Sequence, residues 1–142
     1  MTTPAVASYP AVESARVTLD GSGNGVARWT PGQSTSGAAN PGGAGPGRNS
    51  GYTVDVTGVA VSVATNVAEA QCVVYISFGT QLYGPDDFQG QTQAGSTGDT
   101  CTVNTGELRP GDWVTAVWTG GDAGAIATAK IFGTVNPPGT GS

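Results

Sequence analysis

The sequence predicts an all-β protein, specifically an antiparallel β-sandwich or jelly-roll-like fold with seven to eight short strands. Three observations support this prediction. Apolar and polar residues alternate in short segments separated by turn residues, which is typical of half-buried strands. Glycine supplies 24 of 142 residues, more than twice its usual share of roughly 7%. No segment keeps a helical repeat of apolar residues without a Gly or Pro interruption.

Strands are predicted at residues 14–20, 26–30, 52–65, 70–78, 100–104, 112–119 and 126–135. Residues 1–13 contain two prolines and no periodicity, which predicts an extended N-terminal arm. Residues 137–142 are predicted to be a flexible tail. Residues 14–136 therefore form a single sandwich domain, of a length that supports a modest core.

One Gly/Pro-rich segment, residues 31–51, interrupts the domain and has no capacity to form a core. A structureless loop of this length is usually functional or disordered. Within 52–65 the alternation changes phase at Gly58, which indicates a β-bulge or a strand break. The nearly continuous apolar run AQCVVYISF, residues 70–78, predicts the most buried strand.

The stretch LDGSGNGVARWTPG, residues 19–32, raises the question of a ligand-binding loop. Counted from Asp20, an EF-hand pattern holds as far as Gly25, but Pro31 stands where a bidentate Glu is required and the flanks are strands. A dinucleotide loop would lead into a helix, and no P-loop Lys-Ser/Thr follows. Glycine and asparagine suit a tight turn, so a hairpin from Arg16 to Thr30 is predicted.

Composition excludes several classes of function. The net charge is −5 and the five basic residues are scattered, which argues against a nucleic-acid partner. No apolar run reaches the roughly 18 residues of a membrane span, and residues 1–15 lack the features of a signal peptide. We therefore expect the chain to fold in a cytoplasm, with no membrane association.

Catalytic and cofactor chemistry find little support. Histidine is absent, so the usual general base at neutral pH is missing. The aspartates at 86, 87, 99, 112 and 122 adjoin glycine or a Gly-Pro turn, and we interpret them as solvated turn residues. The prediction is a non-enzymatic protein without catalytic residues, cofactor or metal.

Cys72 and Cys101 lie in two predicted strands. Two free buried thiols are favoured, because cytosolic proteins rarely keep disulfides. A cross-strand disulfide remains open, since a particle that leaves the cell can oxidise later. Zinc would need four ligands, and neither a histidine nor a third cysteine is present.

Large aromatic residues raise the question of an interface. Trp113 and Trp118 lie five apart in one strand and should point to opposite faces. Core packing is the default for each tryptophan, with an interface role as the alternative. The candidate interface residues are Tyr9 in the arm, Trp29, Arg48 in the long loop, and Trp118. An exposed tryptophan could equally serve as a sugar-binding platform.

The runs VTLDGSGNGVARWTPG and LRPGDWVTAVWTGGDAGAIATAKIFGTV resemble small virion proteins encoded by tailed bacteriophages of actinobacteria. The resemblance covers most of residues 14–136, least well in the Gly/Pro-rich loop. It implies an all-β structural component of the particle, on the capsid surface or with the tail. It carries over no catalytic residues.

These observations lead to a functional hypothesis. We expect a capsid decoration protein on the virion surface, a homo-oligomer with a trimer favoured, which binds between subunits of the major capsid protein. The proline-containing arm and the long loop are segments that can order on binding. A minor tail or fibre-associated structural protein, with tail proteins as its partners, is the first alternative. A carbohydrate-binding module that contacts the host surface is the second.

Overall fold

A computed structural model describes residues 9–31, 53–63, 70–92, 98–103 and 106–136, with the backbone alone at residues 9–12 and 99. These ranges hold nine strands: β1 (Tyr9–Thr18), β2 (Gly25–Trp29), β3 (Thr53–Val63), β4 (Gln71–Ser77), β5 (Phe88–Gln91), β6 (Gly98–Thr102), β7 (Glu107–Leu108), β8 (Trp113–Thr119) and β9 (Ile126–Asn136). One 3-10 turn, Pro85–Asp87, precedes β5. The all-β prediction is confirmed. The predicted tail, and the predicted loop beyond Pro31, lie outside the described residues.

The strands form two antiparallel sheets. The five-stranded sheet has the order β1-β9-β3-β6, with β7 pairing with β3. The four-stranded sheet has the order β2-β8-β4-β5. If the short β7 is left aside, every connection except that between β4 and β5 takes the chain to the other sheet. This winding is that of a jelly roll, so the predicted sandwich is confirmed.

β1 begins at Tyr9, earlier than the predicted start at Ser14. Its register with β9 runs from Tyr9 opposite Val135 to Thr18 opposite Ile126. β1 is the edge of its sheet, and a proline is tolerated at an edge because one side of the strand needs no hydrogen-bond donor. Pro10 therefore does not exclude a strand, and residues 9–13 of the predicted arm belong to β1, whereas residues 1–8 lie outside the described residues.

The glycine-rich turn after β1 is a connection between the two sheets, which corrects the hairpin prediction. β1 and β2 belong to different sheets, so they do not pair with each other. Asp20 closes the turn itself, because its Oδ1 accepts hydrogen bonds from the Ser22 and Asn24 amides at 2.8 and 3.0 Å. The Gly121 amide then donates to the carbonyl oxygen of Gly23 at 2.9 Å. The stretch is a corner held by the loop before β9.

Two details of the strands bear on the sequence predictions. β3 is continuous, and its register with β9 shifts between Val56 and Gly58, so the β-bulge inferred from the phase change is confirmed. β5 and β7 have four and two residues. Alternation over so few residues is too short to detect, which is why both strands were missed.

The core lies between the sheets and is built mainly from valine, alanine and isoleucine with two tryptophans. β8 is more completely buried than β4. Five of the first six residues of β8 are buried, and their side chains lie on both faces of the strand. The prediction that residues 70–78 are the most buried strand is therefore wrong. Asp112 is 3% exposed, so it is not the solvated turn residue that we expected.

Candidate binding surface

Exposed apolar side chains are concentrated in the connection between β4 and β5. Phe78, Leu82, Tyr83 and Phe88 are 54, 80, 37 and 47% exposed. A cluster of exposed apolar side chains marks an interaction site, whereas single exposed residues are ordinary. We call these four residues, together with the half-buried Tyr75 whose ring contacts those of Tyr83 and Phe88, the apolar patch.

Hydrogen bonds hold the first half of this connection in one conformation. The Ser77 hydroxyl donates to the Thr80 carbonyl oxygen at 2.7 Å, and the Leu82 amide donates to the Thr80 hydroxyl at 3.0 Å. The Gly79 amide donates to Oδ1 of the buried Asp112 at 2.8 Å. Because the loop is already ordered, less conformational entropy is lost when it docks.

The second half of the connection is a 3-10 turn that positions two aromatic rings. Asp87 Oδ2 accepts a hydrogen bond from the Gly84 amide at 2.8 Å, and the Asp87 amide donates back to the Gly84 carbonyl oxygen at 3.0 Å. Tyr83 and Phe88 flank this turn. Their rings both contact Tyr75 of β4: the Tyr83 ring stacks at 4.3 Å with an interplanar angle of 26°, and the Phe88 ring meets it edge-on at 6.4 Å and 80°.

The rings border an open groove of about 400 Å³, lined by Tyr75, Tyr83, Gly84, Pro85 and Phe88. Its lining is apolar and aromatic. Aromatic side chains with two side-chain torsions supply a large contact area at a low entropic cost, which suits a recognition surface.

The patch continues across the outer face of the four-stranded sheet. Register places Tyr75 between Thr115 of β8 and Phe88 of β5, with Arg28 of β2 beyond Thr115. The neighbouring row consists of three half-buried valines from β2, β8 and β4: Val26, Val117 and Val73. A sheet face exposed to water normally carries polar residues, so this row of three valines is unusually apolar.

The outer face of the five-stranded sheet has the opposite character. Its outward positions carry polar and charged side chains, among them Arg16, Thr57, Ser62, Thr100, Thr128 and Lys130. Ile126, at 49% exposure, is the one large hydrophobic side chain exposed outside the apolar patch in the described ranges. Four of the five exposed large apolar side chains in the described ranges thus lie in or beside the β4–β5 connection.

Carboxylates lie at the margin of the patch. Asp86 is exposed within the 3-10 turn, and Asp87 is half-buried there. An apolar centre with a polar rim is the usual organisation of a protein–protein interface. On the sheet face itself, Thr115 is fully buried and its hydroxyl has no hydrogen-bond partner.

The predicted tryptophan interface is corrected by the structure. Trp29 and Trp118 are 1% and 2% exposed and belong to the core, so neither ring is available to a partner. Trp113 and Trp118 do point to opposite faces, as predicted, but Trp113 is also buried at 6% exposure. Each of the three tryptophans is therefore buried within the chain.

The other predicted site residues contribute little to this surface. Tyr9 pairs with Val135 through its backbone, and Arg48 lies outside the described residues. Cys72 is buried and Cys101 half-buried, and the two are not joined in a disulfide. In the described part of the chain, no three His, Cys, Asp or Glu residues come together as metal ligands. No helix in those ranges has the length and apolar character needed to cross a membrane.

Sequence reasoning interpreted YGPDDFQGQ, from Tyr83, only as a turn-rich connection and so missed the patch. A usable signal was present. Four large apolar residues fall within residues 78–88, beside glycine, proline and aspartate. Turn residues place such side chains at the surface, where they remain exposed unless a partner covers them.

The described residues thus form a small jelly roll that exposes a group of apolar side chains at an ordered connection between two strands. No family model matches the chain, and no curated protein sequence matches it. Among solved structures, it is similar to a chain of turnip yellow mosaic virus, with a TM-score of 0.52 and 8% identity over 97% of this chain and 84% of that chain. A chain from empty heads of turnip yellow mosaic virus gives a TM-score of 0.48 at 9% identity, with 97% and 86% covered. Such low identity shows a shared fold alone.

Proposed function

We propose that this chain is a non-enzymatic structural protein of a bacteriophage particle, which decorates and stabilises the capsid surface by binding between major capsid protein subunits. The observation that carries the proposal is the apolar patch, an ordered docking surface on one side of a jelly roll. The fold occurs in virus structures, and the sequence resemblance points to small virion proteins. A protein that acts by burying its surface against a partner needs no catalytic residues.

The apolar patch suits a protein that binds one particle in many copies. Exposed side chains from one short segment bury less area than the roughly 800 Å² per partner of a standard interface. On a shell, however, many copies act together, and linked contacts convert weak binding into high occupancy. A homo-oligomer, with a trimer favoured, would present several patches at once.

The predicted N-terminal arm, residues 1–13, and the Gly/Pro-rich segment 31–51 provide further contacts in this proposal. Segments of such composition can lie across neighbouring subunits and order on binding. Since β1 pairs from Tyr9 onward, a truncation that tests the arm must end at residue 8. Removal of residues 1–13 would also unpair half of an edge strand.

The experiment that tests the proposal measures binding of purified protein to particles that lack it. Leu82→Lys changes the most exposed residue of the patch, and Ile126→Lys places the same charge on the opposite sheet as a matched control. Leu82→Lys should weaken binding about tenfold or more, since interface residues at a docking centre contribute most of the affinity, while Ile126→Lys binds normally. Equal binding by the two variants would remove the patch from the proposal.

A tail or fibre-associated role is the first alternative, because the resemblance covers both locations. It predicts a copy number set by the symmetry of the tail, whereas a decoration protein is present in the hundreds. The copy number of the protein, measured from the intensity of its gel band in purified virions, distinguishes the two locations.

The groove of the patch also favours a second candidate function, the binding of host-surface carbohydrate. Tyr83 and Phe88 border an open groove beside the exposed carboxylate of Asp86, and sugar rings stack on aromatic faces of this kind. Trp29 and Trp118 no longer serve as test positions because they are buried. Glycan binding that is lost in Tyr83→Ala supports this function, and an absence of binding across a glycan panel removes it.

A further inference from the structure

The two cysteines face each other from opposite sheets at one side of the sandwich. Cys72 lies in β4 of the four-stranded sheet, and Cys101 lies in β6, the edge strand of the five-stranded sheet. Both thiols line one cavity of about 200 Å³. We propose that Cys72 and Cys101 form an intramolecular disulfide under oxidising conditions, which joins the two sheets along this side.

The pairing of β4 with β5, and the position of the Cys101 sulfur over Gly90 of β5, place the two cysteines near each other. The Cys72 amide donates to the Thr92 hydroxyl at 2.9 Å, and Val74 is the partner of Gly90 in the β4–β5 pair. A β-carbon built on Gly90 would lie 2.7 Å from the Cys101 sulfur. The Cys101 sulfur thus lies over Gly90. Because Val74 pairs with Gly90, Gly90 is the diagonal neighbour of Cys72 across the two strands, and side-chain positions related in this way are on the order of 7 Å apart.

Closure requires a modest movement, and the fold leaves room for it. A disulfide needs its two β-carbons about 3.8 Å apart, so β6 must move toward β4. The cavity provides the space into which β6 can move. β6 is an edge strand of five residues that pairs with β3 alone, and such edges are displaced at lower cost than central strands.

The difference in accessibility between the two cysteines decides which of them reacts first. Cys101 is half-buried, whereas Cys72 is 2% exposed, so an external oxidant reaches Cys101 first. With glutathione disulfide as oxidant, the Cys101 thiolate attacks one sulfur, forms a mixed disulfide and releases one glutathione thiolate. The Cys72 thiolate then attacks the Cys101 sulfur and releases the second. The protein loses two protons and two electrons, and glutathione disulfide is reduced to two thiols.

The second step should be slow at neutral pH and accelerate with alkalinity. Burial raises the pKa of Cys72 to about 12, although a backbone hydrogen bond with Val117 lowers it in part. Because only the thiolate attacks, its fraction rises about tenfold for each pH unit well below that value. The decay of the mixed disulfide should therefore become about tenfold faster for each unit between pH 7 and pH 9.

The test treats the intact, folded chain with glutathione disulfide and follows its mass at several pH values. The expected result is a transient adduct at Cys101, followed by a product two hydrogens lighter than the starting protein, whose digest contains the 72–101 cross-linked peptide. Two variants serve as matched controls. Cys72→Ala should stop at a stable Cys101 adduct, and Cys101→Ala should stay unmodified while folded.

The result with wild-type protein alone can overturn the proposal, so the test does not depend on whether the variants fold. A glutathione adduct at Cys101 that persists at pH 9, or two thiols that remain free, would show that the sulfurs do not meet. A cross-link between two chains would show that Cys101 reacts with a second copy instead. The outcome is independent of whether the chain binds capsids.

Discussion

The rings of Tyr75 and Tyr83 stack with their centroids 4.3 Å apart and an interplanar angle of 26°. Tyr75 belongs to β4, whereas Tyr83 belongs to the connection that follows it. The stack therefore attaches an otherwise exposed loop to the rigid sheet. It is also what keeps the apolar patch in one shape before any partner arrives.

Loss of this stack should destabilise the protein measurably. Tyr83→Ala removes one ring of the pair, and aromatic pairs of this geometry contribute about 0.5–1.5 kcal/mol beyond the area that they bury. Leu82→Ala, next along the chain and 80% exposed, should change the free energy of unfolding by less than about 0.5 kcal/mol. Urea denaturation measures both. Equal effects at the two positions would mean that the stack does not hold the loop.

Asp112 should be among the most sensitive polar residues. It is 3% exposed, and its two oxygens accept hydrogen bonds from the Gly79 and Arg109 amides at 2.8 and 2.9 Å. Bonds to a charged group contribute about 1.5–3 kcal/mol each, so Asp112→Ala should lower stability by at least about 2 kcal/mol. The control is Asp86→Ala in the same region, which should be nearly neutral. A neutral Asp112→Ala would contradict the anchoring role.

Three glycine substitutions should separate backbone strain from steric exclusion. Gly23 has a φ of 76°, and a β-carbon there would overlap the Gly121 carbonyl oxygen. Gly124 has a φ of 81° with open space around it, and Gly21 has open space without a positive φ. We expect Gly21→Ala to be neutral, Gly124→Ala to cost about 1 kcal/mol, and Gly23→Ala to be the most destabilising. Thermal unfolding gives the order, and any other order contradicts the corner geometry.

Glu13 should make a pH-dependent contribution to the stability of the fold. Burial raises the pKa of its carboxyl, so the folded state binds the proton more tightly than the unfolded state does. The favourable contribution is therefore complete below the unfolded value of about 4.3 and is lost as the pH rises through the folded pKa. Wild-type protein should lose stability relative to Glu13→Gln as the pH rises from 3.5 to 6. A difference that stays flat, or grows in favour of the wild type, would contradict this.

Strand existence followed from the sequence because alternation is a local property. The segments around Val17, Val26, Val61 and Val114 were placed correctly, and the phase change at Gly58 located a real bulge. Strand pairing did not follow in the same way. The turn from Asp20 to Gly25 has a composition that suits a hairpin, yet the chain crosses there to the other sheet, held by Gly121 and Ala125 of a distant loop.

The binding surface was the least predictable feature. Tryptophan is enriched at interfaces, which favoured Trp29 and Trp118, but a core that is otherwise rich in valine and alanine uses these large rings to fill its volume. The exposed aromatic residues are instead phenylalanine and tyrosine in a turn-rich segment. Exposure depends on how two sheets pack, and that is not encoded in the local pattern.

The central claim is that this chain binds between subunits on the outside of a capsid through the apolar patch. An averaged electron-microscopy image of intact particles, with the protein labelled at its C-terminus, tests it most directly. The account predicts label over the whole shell at junctions between major capsid subunits, and its absence when particles are assembled with Leu82→Lys protein. Label confined to the tail, or full shell occupancy by Leu82→Lys protein, would contradict it.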